Sequence, residues 1–321
     1  MTIDALRARL ALGPLVLDGA MSTFLHASGV AGPVRATDDL VLSQPERIRA
    51  VHDAYYEAGA DIVRTNTFRA AAREHSGHAR DLCRAAARLA RAAADEWSMR
   101  TPVRPRLVAG AIGPADAPPA RSLRLGDASS EQLRHAFREP LIGLLEGGVD
   151  LLLFETWWCP QQTEVALAAL ADATADAGWR VPLIVSTVLA RDGRVAASGT
   201  GVADWLHAID PAAVDGVGLN CGEGPGGLEP PLSVLRGRFG LVCCAPSAGV
   251  PSGDGHYPHG PDEFASQLAG YLRAGLAQIA GGCCGTTPAH VRALATAAAA
   301  CGRGLTEPPN AIATPRRAGA Q

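Results

Sequence analysis

Eight short apolar runs alternate with helix-like segments along nearly the whole chain, and this alternation constrains the fold more than any other feature. Most of the runs are continuous, as expected for strands of a parallel sheet that are buried on both faces. Eight strand-then-helix units that close on themselves form a (β/α)8 barrel, a fold of about 250 residues plus insertions. A doubly wound open sheet is the alternative, although it usually has fewer units. The runs begin at Leu15, Ile62, Leu107, Leu151, Leu183, Val217, Leu241 and Ala277.

The sequence therefore predicts an α/β protein with a single-domain (β/α)8 TIM barrel over residues 1–305. Residues 306–321 are rich in Pro, Ala and Arg and are predicted to be a flexible C-terminal tail. The loop from Pro114 to Ala128 could act as a lid. The pattern Ser43-Gln44-Pro45-Glu46 predicts a capping box that opens the helix before the second strand.

Composition and charge exclude several classes of protein. The chain has 321 residues, of which 47% are hydrophobic and 19% charged, so a large core is expected and disorder is not. A net charge of −3 gives no electrostatic case for binding nucleic acid or an anionic membrane. No apolar run approaches the ~20 residues of a membrane span, and the first residues lack the order of a signal peptide. Eight cysteines without an export signal are typical of reduced thiols, so we expect a cytoplasmic protein, with a homo-oligomer left open.

Adjacent cysteines flanked by glycines, Gly282-Cys283-Cys284-Gly285, mark the eighth strand end. Neighbouring side chains on a strand point to opposite faces, so both thiols can act together only if the backbone bends there. Cys221 ends the sixth apolar run, and three soft ligands without a fourth are typical of a catalytic zinc site. Spacing alone leaves two alternatives open, namely ordinary buried thiols and a vicinal disulfide between Cys283 and Cys284.

The distinctive polar residues follow the strands, at the points where the strands end. In a (β/α)8 barrel these carboxyl ends together form the active-site face. Thr287 and Pro288, directly after the cysteine pair, are a suitable N-cap and first residue for the last helix. The strand-end residues are Asp18, Asn66, Glu155, Asn220, Cys221, Cys283 and Cys284.

The motifs around these residues resemble those of the homocysteine S-methyltransferase family. Its members include betaine- and S-methylmethionine-dependent enzymes and the homocysteine-binding module of cobalamin-dependent methionine synthase. The resemblance covers nearly the whole chain, and its last two motifs are the most specific. The motifs are Asp18-Gly19-Ala20-Met21, Thr65-Asn66-Thr67-Phe68, Gly110-Ala111-Ile112-Gly113-Pro114, Phe154-Glu155-Thr156, Gly218-Leu219-Asn220-Cys221 and Gly281-Gly282-Cys283-Cys284-Gly285-Thr286-Thr287-Pro288.

The resemblance implies a zinc-dependent transfer of a methyl group to the thiol of homocysteine, giving methionine. Cys221, Cys283 and Cys284 would hold Zn²⁺, and the homocysteine thiolate would take its open position. Three thiolate ligands make the metal a weaker Lewis acid, which favours alkyl transfer to sulfur over hydrolysis. The residues implied to bind the acceptor are Asp18, Gly19, Ala20, Asn66 and Glu155.

The methyl donor is expected to be a small diffusible molecule, with S-methylmethionine first because a sulfonium is a better leaving group than a quaternary ammonium. The alternative donors are betaine and a corrinoid protein, and the alternative acceptor is another thiol. No cobalamin- or folate-binding module is expected in a chain of this length. Four aromatic residues could face a cationic donor through cation–π contacts, namely Phe68, Trp157, Trp158 and Tyr257. A protein that uses Cys283 and Cys284 as a redox or metal-sensing switch is the non-enzyme alternative.

Several positions depart from the family pattern. Arg64 stands where relatives often carry Glu, and the segment around Ser247 differs from their Pro-Asn-Ala/Ser-Gly. The tryptophans that follow Glu155-Thr156 are also unusual. A buried Arg64 needs an anionic partner, for which Glu155 is a candidate, whereas a surface position at a distorted strand is the alternative. Cys243 and Cys244 are interpreted as core residues rather than as a second soft pair.

Overall fold

The strands form one parallel sheet in a computed structural model that describes residues 1–30, 37–72, 77–115 and 129–301. The sheet order is β1-β8-β7-β6-β5-β4-β3-β2. The predicted tail at 306–321 and most of the suggested lid at 114–128 lie outside the described residues. The strands are β1 (Leu15–Val16), β2 (Ile62–Arg64), β3 (Leu107–Ile112), β4 (Leu151–Phe154), β5 (Leu183–Thr187), β6 (Gly216–Cys221), β7 (Val242–Pro246) and β8 (Ile279–Ala280).

The two end strands of this sheet, β1 and β2, meet and close it into a barrel. Leu17 and Ile62 form a parallel bridge. On either side of it, Asp18 N donates to Ile62 O over 2.9 Å and Asp61 N donates to Val16 O over 2.7 Å. The predicted (β/α)8 barrel is therefore confirmed, and the open-sheet alternative is wrong because its edge strands would not touch.

Helices follow the strands around the barrel. The capping box predicted at Ser43 is wrong, because Ser43 ends a short helix and Gln44 precedes the next one without a side-chain cap. Thr287 caps the last helix as predicted, with Pro288 in its first turn. No helix in the described ranges combines the length and hydrophobicity needed to span a bilayer. The helices are α1 (Ile3–Leu10), α2 (Ser22–Ala27), α3 (Leu40–Ser43), α4 (Pro45–Glu57), α5 (Ala79–Arg100), α6 (Ser130–Glu146), α7 (Pro160–Ala177), α8 (Val202–His207), α9 (Glu229–Arg236), α10 (Pro261–Arg273) and α11 (Pro288–Ala299).

The apolar core has two layers, one inside the barrel and one between the strands and the helices. Leu6 and Leu10 of α1 pack with the interior residues, so this helix fills the end of the barrel opposite the strand-end loops. Cys243 belongs to the interior layer and Cys244 to the outer layer. The two cysteines therefore point to opposite faces of β7 and are core residues, as the sequence predicted.

Candidate metal and substrate-binding site

Three cysteine thiols meet at the carboxyl end of the barrel. Cys221 is the last residue of β6, while Cys283 and Cys284 lie in the loop after β8. Their three sulfur atoms all lie within 4.8 Å of one another, and Cys221 Sγ lies 3.8 Å from Cys284 Sγ. None of the eight cysteines, which all lie among the described residues, forms a disulfide. Among the described residues this is the one cluster of His, Cys, Asp or Glu that could hold a metal, and three soft ligands suit zinc.

Backbone geometry brings these sulfurs together. Cys221 has a left-handed backbone with φ of 60°, which is rare for a residue with a side chain. The loop after β8 is held against the end of β7, since Cys283 N donates to Pro246 O over 2.8 Å and Ala248 N donates to Cys284 O over 2.8 Å. At Gly285, a Cβ atom would lie 2.1 Å from Cγ of the Tyr257 ring, so only glycine fits the turn. The predicted bend at the cysteine pair is therefore present.

The thiols share their protons within this cluster. Hydrogen bonds from Cys221 and Cys283 lower the pKa of the Cys284 thiol well below its ordinary value. Hydrogen bonds with Cys283 and Cys284 raise the pKa of the Cys221 thiol well above its ordinary value. The cluster therefore readily provides a first thiolate for a soft metal.

Arg64, at the end of β2, is buried beside the cysteines and paired with two carboxylates. Its Nε donates to Asp18 Oδ1 and its Nη1 donates to Glu155 Oε1, each over 2.7 Å. Its Nη2 donates to Gly282 O over 2.6 Å and to Gly19 O over 2.8 Å. The predicted pairing of Arg64 with Glu155 is confirmed, and the surface alternative is wrong because the residue is 8% exposed.

Burial and ion pairing act in opposite directions on these groups. Burial raises the pKa of Asp18 to about 6, although Arg64 partly opposes the change. Burial likewise raises the pKa of Glu155 against the lowering influence of Arg64. Burial would lower the pKa of Arg64, but the two carboxylates raise it well above its ordinary value. The guanidinium therefore stays charged, and it stabilises both carboxylates in a place where neither would be stable alone.

A cavity of about 390 Å³ opens over the cysteines and this ion cluster. Its wall also contains Arg64 and Thr156, which sequence reasoning did not assign to the site. For Arg64 a usable signal existed, because a cation within an apolar strand needs a buried partner. All of the site residues expected from the sequence line this cavity: Asp18, Gly19, Ala20, Asn66, Glu155, Cys221, Cys283 and Cys284.

The four aromatic candidates separate into two groups. Phe68 and Trp158 line the cavity, and Phe68 is 38% exposed at its rim. Trp157 is instead fully buried and stacks on Phe154 with ring centroids 5.1 Å apart. The Tyr257 ring packs on Gly285, outside the cavity lining. Of this set, Phe68 and Trp158 therefore line the cavity, whereas Tyr257 lies beside the cysteine cluster.

The chain resembles known proteins along most of its length. The model of the family described as homocysteine S-methyltransferase matches residues 15–298. Methionine synthase from Mycobacterium tuberculosis is 33% identical over 311 residues, which cover 92% of this chain and 25% of that protein. Methionine synthase from Mycobacterium leprae is 34% identical over 304 residues, again 25% of its length. The chain thus spans about a quarter of the length of the curated relatives it matches.

Solved structures show the same likeness at nearly full length. The metallated form of the homocysteine methyltransferase MmuM from Escherichia coli superposes with a TM-score of 0.70 at 29% identity, covering 91% of this chain and 99% of that one. The oxidized form of the same protein gives a TM-score of 0.68 at 28% identity, covering 88% and 95%.

Proposed function

The chain belongs to the homocysteine S-methyltransferase family, and we propose that it transfers a methyl group to the thiol of homocysteine, giving methionine. One observation carries the proposal: three converging cysteine thiols share a cavity with a carboxylate pair. The thiol group and the ammonium group of one small amino acid could meet these two features at the same time. Pre-positioning both ends of the acceptor is what a methyl transfer in line with the attacking sulfur requires.

We assign the metal as zinc, held by Cys221, Cys283 and Cys284. The fit rests on the donor set, because three sulfurs within 4.8 Å form a soft, three-ligand group. When bound, zinc supplies Lewis-acid chemistry that deprotonates a thiol at neutral pH. The E. coli protein described in a metallated form supports a bound metal, and the soft donor set of this chain is what favours zinc.

Glu155 is assigned to the ammonium group of the acceptor. Arg64 fixes one of its oxygens, Oε1, while Oε2 accepts no hydrogen bond from the described residues. Asp18 is already engaged, because Arg64 Nε and Arg64 N take its two oxygens over 2.7 Å and 2.8 Å. Asp18 therefore acts through Arg64, whereas Glu155 faces the ligand.

The remaining wall orients the acceptor by shape. Ala20 N donates to Thr286 Oγ1 over 3.1 Å, which fixes the turn at Gly19 and Ala20. Asn66 Nδ2 donates to Thr37 O over 2.7 Å, which fixes the Asn66 side chain on the cavity wall. We propose that these segments form the walls around the carboxylate end and the carbon chain of the acceptor.

S-methylmethionine is the methyl donor that we favour. Its sulfonium carries a positive charge that is lost on transfer: the sulfur–methyl bond of the donor breaks, its electron pair stays on the departing thioether, and the thiolate forms the new bond. Phe68 and Trp158 offer aromatic faces in the same cavity for that cation. The acceptor and the departing donor then both become methionine.

A donor screen tests the proposal. Purified, reduced and zinc-loaded protein is incubated with homocysteine and one of four donors: S-methylmethionine, betaine, S-adenosylmethionine or methylcobalamin. Methionine is measured, and S-methylmethionine is expected to give the fastest turnover, with the Cys283→Ser variant inactive. Turnover that requires a methylcobalamin-carrying protein would overturn the assigned donor. The absence of methionine with every donor would overturn the assigned acceptor.

A further inference from the structure

Two residues beside the site adopt a backbone conformation that non-glycine residues rarely take. Thr156, directly after Glu155, has φ of 66°, and Cys221 has φ of 60°. The conformation is especially costly for a β-branched residue such as threonine. Such residues persist where surrounding contacts hold them, and they cluster at functional sites.

Asn220 links these two residues. Its side chain contacts Thr156, and it directly precedes Cys221 in the chain. Thr156 N donates to Asn220 Oδ1 over 2.8 Å, and Asn220 Nδ2 donates to Thr156 Oγ1 over 2.8 Å. Ser186 Oγ also donates to the same Oδ1 over 2.7 Å, as an additional bond to the amide whose orientation the two bonds to Thr156 set. Asn220 is 4% exposed and lies on the wall of the cavity.

We propose that Asn220 is a positioning residue that fixes the metal ligand Cys221 relative to the carboxylate of Glu155. Each of these two residues is one peptide bond away from a member of the Asn220–Thr156 pair. The pair therefore sets the separation between the thiol-binding and ammonium-binding ends of the acceptor site. This inference rests on the proposed function, in which a single amino acid spans both ends.

The chemistry of the side chain explains why asparagine occupies this position. A primary amide offers an acceptor and a donor in one plane, so it can satisfy both the N–H and the hydroxyl oxygen of Thr156. A carboxylate offers acceptors only, and it would add a negative charge beside the three thiols. An alanine would leave the partly buried Thr156 N without its partner.

Asn220→Ala is the first test. We expect the KM for homocysteine to rise roughly tenfold or more, as for the loss of a buried hydrogen-bonding partner. Metal content should remain at the wild-type level, because the three sulfur ligands are unchanged. Ser186→Ala is the matched control: it removes one hydrogen bond to Oδ1 but keeps both bonds to Thr156, so KM should change less than about threefold.

Thr156→Gly tests the mechanism itself. Glycine adopts positive φ without a side-chain penalty, so the backbone no longer depends on Asn220. In the Thr156→Gly background, Asn220→Ala should therefore raise KM by a clearly smaller factor than in the wild type. An unchanged KM in Asn220→Ala, an equal effect of Ser186→Ala, or the same factor in both backgrounds would each overturn the proposal.

A readout without turnover separates this inference from the proposed function. In a thermal double-mutant cycle, Asn220→Ala should lower Tm by roughly 3 °C or more, and by less in the Thr156→Gly background. If wild-type protein neither binds nor methylates homocysteine, the proposed function fails. The thermal double-mutant cycle then tests on its own whether Asn220 holds Thr156. Equal Tm losses in the two backgrounds would then show that Asn220 does not hold Thr156.

Discussion

Arg64 Nη1 lies 2.7 Å from Glu155 Oε1, so a cation from the end of β2 is joined to an anion from the end of β4 across the barrel mouth. The same guanidinium holds Asp18 from the end of β1. One positive and two negative groups leave this buried cluster with one net negative charge. That charge matches the single ammonium group of an amino-acid acceptor.

Removing the cation should destabilise the protein. Arg64→Met leaves two buried carboxylates without a partner, and we expect a loss of about 3–5 kcal/mol in the free energy of unfolding. Urea denaturation measures this loss. Arg134→Met is the control, because the Arg134–Asp172 ion pair is exposed to solvent, and its loss should change stability far less than Arg64→Met does. Equal effects of the two substitutions would contradict the role given to Arg64.

Neutralising Glu155 should weaken acceptor binding and spare the metal. Glu155→Gln keeps the shape of the side chain but removes a charge-assisted hydrogen bond, worth about 1.5–3 kcal/mol. Homocysteine titration should therefore show an affinity loss of at least about tenfold. Metal content measured on the same sample should equal that of the wild type. If metal is lost as well, Glu155 supports the metal centre and its assignment to the ammonium group is wrong.

Each of the three clustered cysteines should be needed for metal binding. Cys221→Ser, Cys283→Ser and Cys284→Ser replace a soft thiolate by a hydroxyl and should lower the bound zinc per chain, measured by elemental analysis after dialysis. Cys243→Ala is the matched control, since Cys243 is buried in the barrel interior and lies outside the cluster. Retention of zinc by all three serine variants would contradict the assigned ligands.

A buried histidine should make stability depend on pH. His52 in α4 is fully buried, and burial lowers its pKa from 6.5 to about 4. Between pH 6.5 and 4, His52 is protonated in the unfolded chain but stays neutral in the folded chain. This residue therefore makes the free energy of unfolding fall as the pH falls. The difference corresponds to about 3 kcal/mol at the acid end of the window.

The His52→Leu variant should lose this contribution. Its free energy of unfolding should depend less steeply on pH between 6.5 and 4 than that of the wild type, as measured by urea denaturation at several pH values. His135→Gln, at an exposed position of α6, should follow the wild-type curve. Parallel curves for His52→Leu and the wild type would show that His52 does not cause the slope.

The barrel and the residues gathered at its mouth could be predicted because both depend on local patterns. Continuous apolar runs give the strands, and polar residues placed where the runs end must share one rim when the strands are parallel. Glycines around Cys283 and Cys284 predicted the bend that the structure shows. The sequence predicted Glu155 as a partner of Arg64 but not Asp18, because Asp18 becomes its neighbour only when β1 and β2 close the barrel.

Backbone geometry beyond the strand ends also escaped prediction. Trp157 and Trp158 looked equivalent in the sequence, yet only Trp158 lines the cavity. The left-handed turn at Thr156 interrupts the regular alternation of side chains, so a period of two cannot assign their faces. Ser43 failed as a cap for a similar reason: its pattern was correct, but an additional short helix occupied the position.

The closure between β1 and β2 has a mechanical consequence. Within the described residues these two strands share a single bridge, so the barrel resembles a split ring whose ends are fastened at Leu17 and Ile62. Asp18 lies next to this bridge, since its backbone N donates a hydrogen bond to Ile62 O and its side chain accepts one from Arg64 Nε. Local opening at the seam would separate the charged side chains that line the cavity. An acceptor that bridges Glu155 and the cysteines would add a further tie across the ring, so the barrel should be stiffest while it holds its substrate.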